Sequence, residues 1–304
     1  MISREEVRKA LTGPVGSVRT PFRRDGNIDF DGLRNTIDFN INAGSKTVLL
    51  TAGDSHYFIL SDREIAEVTK VAAEHTAGRA MMVAADRHYG TAHAVEFAQY
   101  ARALGADVLM VMPPDWGQSF TIDDLVAHYA AIAKHIPVMV VTNVFVPRGM
   151  DFGINALRAL VDQVGGIVAV KDDFCGEFAR KMALLVHDQW AVISGGQKQN
   201  HLDALSYGCD GYLSTFISFS PEIARYYWEA VQSPDLRTAR AMIKGYDMPF
   251  FDFISTLPGG FDAGMHGAME LFGIAPRWRR KPYHSLNDEE MERLTDFFQK
   301  LALL

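Results

Sequence analysis

Short runs of β-branched and apolar residues recur along the chain roughly every 25–30 residues, each followed by a stretch with helical apolar spacing. The runs lie at 16–20, 47–51, 81–85, 108–112, 138–142, 167–171, 191–194 and 211–214. Alternation of this kind is expected of βα units feeding a parallel sheet. Eight such units over about 230 residues predict an α/β fold, the (β/α)8 or TIM barrel, across residues 1–231. A doubly wound open sheet is the alternative, and it lacks the Gly-x-Gly-x-x-Gly that would follow its first strand.

Local signals place several helices. Ser61-Asp62-Arg63-Glu64 is a capping box opening a helix through Thr76. Thr91 opens the next, Thr121 begins another that ends before Pro137, and Pro221 stands where a first-turn proline starts the eighth. Beyond Val231 the alternation stops, and 232–304 reads as a C-terminal helical extension with helices at 236–248, 260–272 and 287–301. No flexible linker precedes it, so it is expected to pack on the barrel or across a subunit contact. The basic stretch 276–282, with Arg277, Arg279, Arg280 and Lys281, reads as a solvated turn.

Composition narrows the function classes. The chain has 304 residues, 48% hydrophobic and 22% charged, enough for a sizeable core. A net charge of −7 and the absence of a basic run argue against nucleic acid or an anionic membrane as partner. No apolar segment is long enough to span a bilayer, and the first residues mix charges without a signal-peptide core. Cys175 and Cys209 form neither a disulfide framework nor a metal-ligand spacing, and no His/Asp/Glu constellation suggests a metal. A cytoplasmic location without metal or cofactor is the expectation.

The most informative residue is Lys171, a charged amine ending the apolar run Ile167-Val168-Ala169-Val170. Alternate side chains of a strand share a face, so Lys171 points with Ala169 and Ile167. In a barrel that places it inside an apolar cup at the carboxyl end of the sixth strand, where desolvation favours the free amine and so attack on a carbonyl. The structural alternative is a lysine that snorkels to solvent.

Active sites of such barrels gather where strands end. Those positions hold Thr20-Pro21-Phe22, Ala52-Gly53-Asp54-Ser55-His56-Tyr57, Asp86-Arg87-His88, Pro114-Asp115-Trp116, Thr142-Asn143 with Arg148, Lys171-Asp172-Asp173 and Ser194-Gly195-Gly196. Together with Gly16-Ser17-Val18-Arg19-Thr20-Pro21-Phe22 and Gly208-Cys209-Asp210-Gly211, they resemble the dihydrodipicolinate synthase / N-acetylneuraminate lyase family of pyruvate-dependent class I aldolases. The resemblance runs from about Gly13 to the C-terminus. It implies a small 2-oxo acid substrate, a covalent imine through Lys171, and a homo-oligomer of the family's tetrameric kind.

The departures are equally specific. The family's Gly-Thr-Thr-Gly-Glu loop, whose hydroxyls and amides hold the substrate carboxylate, is here Ala52-Gly53-Asp54-Ser55-His56. The proton-relaying tyrosine after the fifth strand is absent, and Thr142 stands before Asn143. Asp54, His56 and Thr142 are therefore the candidates for proton transfer beside Lys171. Gly53, Ser55, Asn143, Arg148 (a possible carboxylate clamp), Gly195 and Gly196 are the candidate binding residues. Three readings follow: a Schiff-base lyase performing carbon–carbon cleavage, condensation or dehydration; an impaired barrel that binds a small carboxylate; and a non-covalent acid–base enzyme using Asp54 and His56.

Overall fold

The computed structural model describes residues 2–304. Eight strands are formed: β1 (Gly13–Val15), β2 (Thr47–Leu49), β3 (Met81–Ala85), β4 (Val108–Val111), β5 (Val138–Val141), β6 (Ile167–Asp172), β7 (Ala191–Ser194) and β8 (Gly211–Leu213). All pair in parallel, in the order β1-β8-β7-β6-β5-β4-β3-β2. The remaining seam closes through a bridge between Ser17 and Leu49, where the Val18 N–H donates to the Leu49 carbonyl at 2.9 Å. The sheet is thus the predicted barrel, and its strands are buried on both faces, so they read as nearly continuous apolar runs.

Strand β1 is displaced from the predicted 16–20. Its ladder with β8 pairs Gly13 with Gly211 and Val15 with Leu213, then ends. A Cβ on Gly16 would stand 2.9 Å from the Asn40 amide, so this glycine lets the chain pass close under helix Phe30–Asn42. The extended chain beyond it still alternates, and Ser17 and Arg19 point into the barrel mouth.

The helix signals translate directly. Ser61 and Thr121 form reciprocal capping boxes with Glu64 and Asp124, and Pro221 occupies the first turn of Pro221–Gln232. Helix Arg4–Leu11, which the alternation did not mark, buries Val7 and Leu11. Its Arg8 donates to Asp210 at 3.1 Å and to the Trp190 carbonyl at 2.9 Å, covering the barrel end opposite the strands' carboxyl ends.

In the tail, the expected helix 236–248 is divided. Leu236–Met242 passes through a π-helical turn, Ile243–Asp247, into Met248–Ile254. Pro249 has no N–H for the ladder, and a wider turn before it absorbs the defect. Asp247 in that turn meets Lys198 at 2.6 Å, both fully buried, tying the tail to the helix after β7. Aromatic residues of the tail, among them Phe250 and Phe298, share one core with Phe216, Phe219 and Ile223 of the last barrel unit. The basic stretch is less solvated than expected. Arg280 pairs with Glu64 at 2.8 Å and donates to the Gly26 carbonyl, while Arg279 is only 8% exposed.

Candidate active site

A cavity of about 280 Å³ opens at the carboxyl ends of the strands. That is near the lower end of the ~300–1,000 Å³ of ordinary ligand sites, a size for a small molecule. Its floor includes Met110, Met112 and Val141, and its polar wall carries Arg19, Asp54, Asn143, Lys171, Asp173 and Gln197.

Lys171 enters from the end of β6, as its parity with Ala169 predicts, and its side chain is 8% exposed. Its ammonium pairs with Asp173. The next residue, Asp172, points the other way and accepts from the Thr142 hydroxyl at 2.8 Å and from the N–H groups of Phe174 and Cys175 at 3.1 Å. The Thr142 hydroxyl in turn accepts from the Asp173 N–H at 2.8 Å. Fully buried at the end of β5, Thr142 therefore fixes the turn that aims Asp173 at the amine. Burial raises the Asp172 pKa, opposed by those three hydrogen bonds.

Asp54, also in the cavity wall, lies 3.4 Å from the Arg19 guanidinium. Burial pushes the Asp54 pKa up, but Arg19, the Ser17 hydroxyl and the Lys171 charge outweigh it and hold the carboxyl below its ordinary value. The Asp54 N–H donates to Thr51 Oγ1 at 2.9 Å, which shapes the loop after β2.

Of the residues expected at the site, the structure brings together Lys171, Asp54, Gly53, Asn143 and Gly195. It places the other five elsewhere. His56 takes a left-handed conformation, φ 60°, which turns its ring out of the mouth and into the tail. There its Nε2 meets Nε2 of His266 at 2.7 Å. Ser55 is fully buried, its hydroxyl donating to the Val18 carbonyl at 2.6 Å and so stitching β2 to the chain after β1. Thr142 serves the turn just described, and Gly196 caps helix Gln197–Ala204. Arg148 is held by Asp115 at 2.9 Å and lies 3.9 Å from the Phe152 ring, which leaves it no part in the cavity wall.

Sequence reasoning assigned no site role to Arg19 and Gln197, although both stand in or next to the strand-end segments, and did not point to Thr215 or Phe261; all four line the cavity. Arg19 carried the same signal as Lys171, a charge at even spacing from an inward residue of an extended run. Phe261, from helix Gly260–Leu271 of the tail, carried none.

Burial keeps four imidazoles neutral: His56 is pushed down to about 3, His128 and His201 to about 4, and His266 well below its ordinary value. Nearby Arg279 adds to the effect at His56. In the unfolded chain each histidine takes up a proton near pH 6.5. The unfolded state therefore binds more protons below that pH, and stability falls as pH drops, by about 2 kcal/mol from His201 alone at pH 5. Asp86, raised by burial, acts in the opposite sense. A lower urea midpoint at pH 5 than at pH 7 is expected, and the gap should narrow in His201→Gln; an unchanged gap in that variant would show that the His201 ring is not held neutral.

A closed barrel with a lysine at the end of its sixth strand, facing a small polar cavity, is the arrangement the sequence led us to expect. The sequence profile described as "Dihydrodipicolinate synthetase family" matches residues 10–301, and the chain belongs to that family of lyases. It is 28% identical to "Probable 5-dehydro-4-deoxyglucarate dehydratase" of Bradyrhizobium sp. (strain ORS 278), over 100% of this chain and 96% of that relative. It is 23% identical to 4-hydroxy-tetrahydrodipicolinate synthase of Dechloromonas aromatica (strain RCB), over 97% and 99%. Among solved structures, N-acetylneuraminate lyase from Fusobacterium nucleatum superposes with a TM-score of 0.84 at 18% identity, covering 96% of this chain and 99% of that one. YagE from E. coli K12, solved in complex with pyruvate, superposes with a TM-score of 0.81 at 21% identity, with the same coverage. These two likenesses are of fold. No helix among the described residues is long and apolar enough to cross a membrane, and no metal-binding cluster occurs among them.

Proposed function

We propose that Lys171 condenses with the C2 carbonyl of a small 2-oxo acid and that the chain cleaves or dehydrates a hydroxylated acid of this class. The observation that carries the reading is the Lys171 amine, nearly enclosed at a strand end and in contact with Asp173. Attack by the neutral amine on C2 gives a carbinolamine, and loss of water leaves an iminium that draws electrons from C3. A base that removes a C3 proton then yields an enamine, and departure of a C4 hydroxyl with a proton completes a dehydration. Alternatively, removing the proton of a C4 hydroxyl breaks the C3–C4 bond, with its electrons passing into the enamine. Asp173, touching the amine, suits the proton transfers of imine formation, and Asp54 is a second carboxylate lining the same cavity. Proton transfer of this kind contributes about 10²–10⁴-fold.

Dehydration has particular support from the full-length relative whose name specifies a deoxyglucarate dehydratase. Synthesis from pyruvate and aspartate semialdehyde is expected to be weak, since the chain departs from the pattern of that reaction at Asp54 and Thr142. Borohydride reduction in the presence of pyruvate should add one adduct, mapped by mass spectrometry to Lys171. An unmodified lysine across a panel of 2-oxo acids would refute the imine.

We further propose a homo-oligomer, tetrameric as the family resemblance implies, with exposed apolar groups such as Leu184 and Trp116 as candidates for contact. Light scattering should give a mass well above the 33.8 kDa of one chain. A monomer at micromolar concentration would exclude it.

A further inference from the structure

We infer that Arg19 is the carboxylate anchor of this cavity, binding the acid group of the 2-oxo acid while Lys171 takes its carbonyl. The inference rests on the proposed reading of the substrate and adds the residue that selects an acid over a neutral ketone.

The cavity wall holds two cations, Lys171 and Arg19. Imine formation occupies the lysine nitrogen, so Arg19 is the remaining fixed cation. Arg148, the clamp expected from the sequence, is spent on Asp115. Arg19 is only 3% exposed, yet its donors are poorly used. A guanidinium has five N–H donors. Here Nη1 reaches Ser17 Oγ and Nη2 reaches Asp54 Oδ1, each at a long 3.4 Å. Nε, also buried, has no partner. Buried donors are ordinarily satisfied, so a guanidinium held this loosely inside a cavity is short of an acceptor.

Its position is nonetheless fixed. The Phe261 ring lies 5.2 Å from the guanidinium carbon, and the extended backbone of residues 17–19 is stitched to β2. A planar fork fixed in this way suits a carboxylate, which accepts two parallel N–H donors. The carboxylate of a 2-oxo acid is one bond from the carbon that reacts with Lys171, so both ends must fit the same 280 Å³. Asp54 then shares the guanidinium with the substrate, and its negative charge sets a limit on affinity.

The test compares borohydride trapping of pyruvate with that of hydroxyacetone, a ketone of similar size without the acid group. Arg19→Gln should raise the half-saturating pyruvate concentration about 10- to 100-fold, the range for hydrogen bonds to a charged group. Arg19→Lys should give a smaller rise, since it keeps the charge and loses the fork. Hydroxyacetone trapping should be unchanged in both. Asp54→Asn should tighten pyruvate by removing a competing carboxylate. Equal weakening of both ketones, or none for pyruvate, would overturn the assignment. Thermal unfolding of each variant checks its fold, and Arg19→Lys carries the comparison if Arg19→Gln is unstable.

A second measurement separates this anchor from the imine. Lys171→Ala cannot form an adduct, so any pyruvate-dependent rise in its unfolding temperature reports non-covalent binding. That rise should vanish in Lys171→Ala/Arg19→Gln. A wild-type protein that traps nothing, alongside an Arg19-dependent rise, would sink the imine and leave the anchor standing. Absence of any rise that requires Arg19 counts against the anchor itself.

Discussion

Lys171→Ala is expected to lower kcat about 10³-fold or more, equivalent to about 4 kcal/mol of barrier, while leaving the fold in place. The side chain ends β6 and reaches into open cavity space, so its removal leaves the Ala169, Val170 and Asp172 pairings with β7 unchanged. What disappears is the nucleophile. Neither Asp54 nor Asp173 can replace it, because a carboxylate makes no imine. The loss should extend to every substrate the wild type turns over, and borohydride should no longer label the protein. Steady-state kinetics with the best substrate from the trapping panel, together with circular dichroism of the variant, checks both halves. Activity within tenfold of wild type would remove covalent catalysis and leave the acid–base reading through Asp54.

Gly195→Ala should be nearly as damaging without touching a reacting group. A Cβ at this position would fall inside the van der Waals envelope of Asp173 Oδ1 and 2.9 Å from Lys171 Nζ. The backbone cannot retreat easily, since the Gly195 N–H donates to the Asp172 carbonyl at 2.6 Å. Gly195 is not among the residues with positive φ, so backbone strain is not the issue; the space is already filled by the pair. Asp173 must swing away and the amine must shift. A fall in kcat of about 10²-fold is expected, as for a lost proton-transfer partner. Overpacking should add about 1–3 kcal/mol of destabilisation. A variant with full activity and an unchanged unfolding temperature would show that the Lys171–Asp173 contact is not used.

Much of this protein was legible in the sequence because strand and helix periods are local properties. Strands β3 and β7 fall where the apolar runs lie; Ser61 and Thr121 mark helix starts through bonds to residues three positions on, and Pro221 through its own fixed backbone angle. The inward direction of Lys171 follows from period-two alternation alone. The same rule puts Ser17 and Arg19 on one face and Val18 on the other, but the closure of the barrel at the Ser17–Leu49 bridge decided which face lines the mouth.

What the sequence by itself determined is the barrel, the placing of Lys171 at a strand end, and the loops that meet it there. The tertiary structure alone decided which loop residues reach the cavity. His56 follows Asp54 by two positions, yet one left-handed turn sends it to His266, 210 residues away. Arg148 was a plausible clamp until Asp115 claimed it, and Thr142 a plausible acid until Asp172 and Asp173 engaged its hydroxyl. Phe261 lines the cavity from a helix of the tail. Each outcome depends on a partner distant in sequence, and no local period carries that information. Backbone propensities set the frame; competition among side chains for buried hydrogen bonds and charges assigned the roles within it.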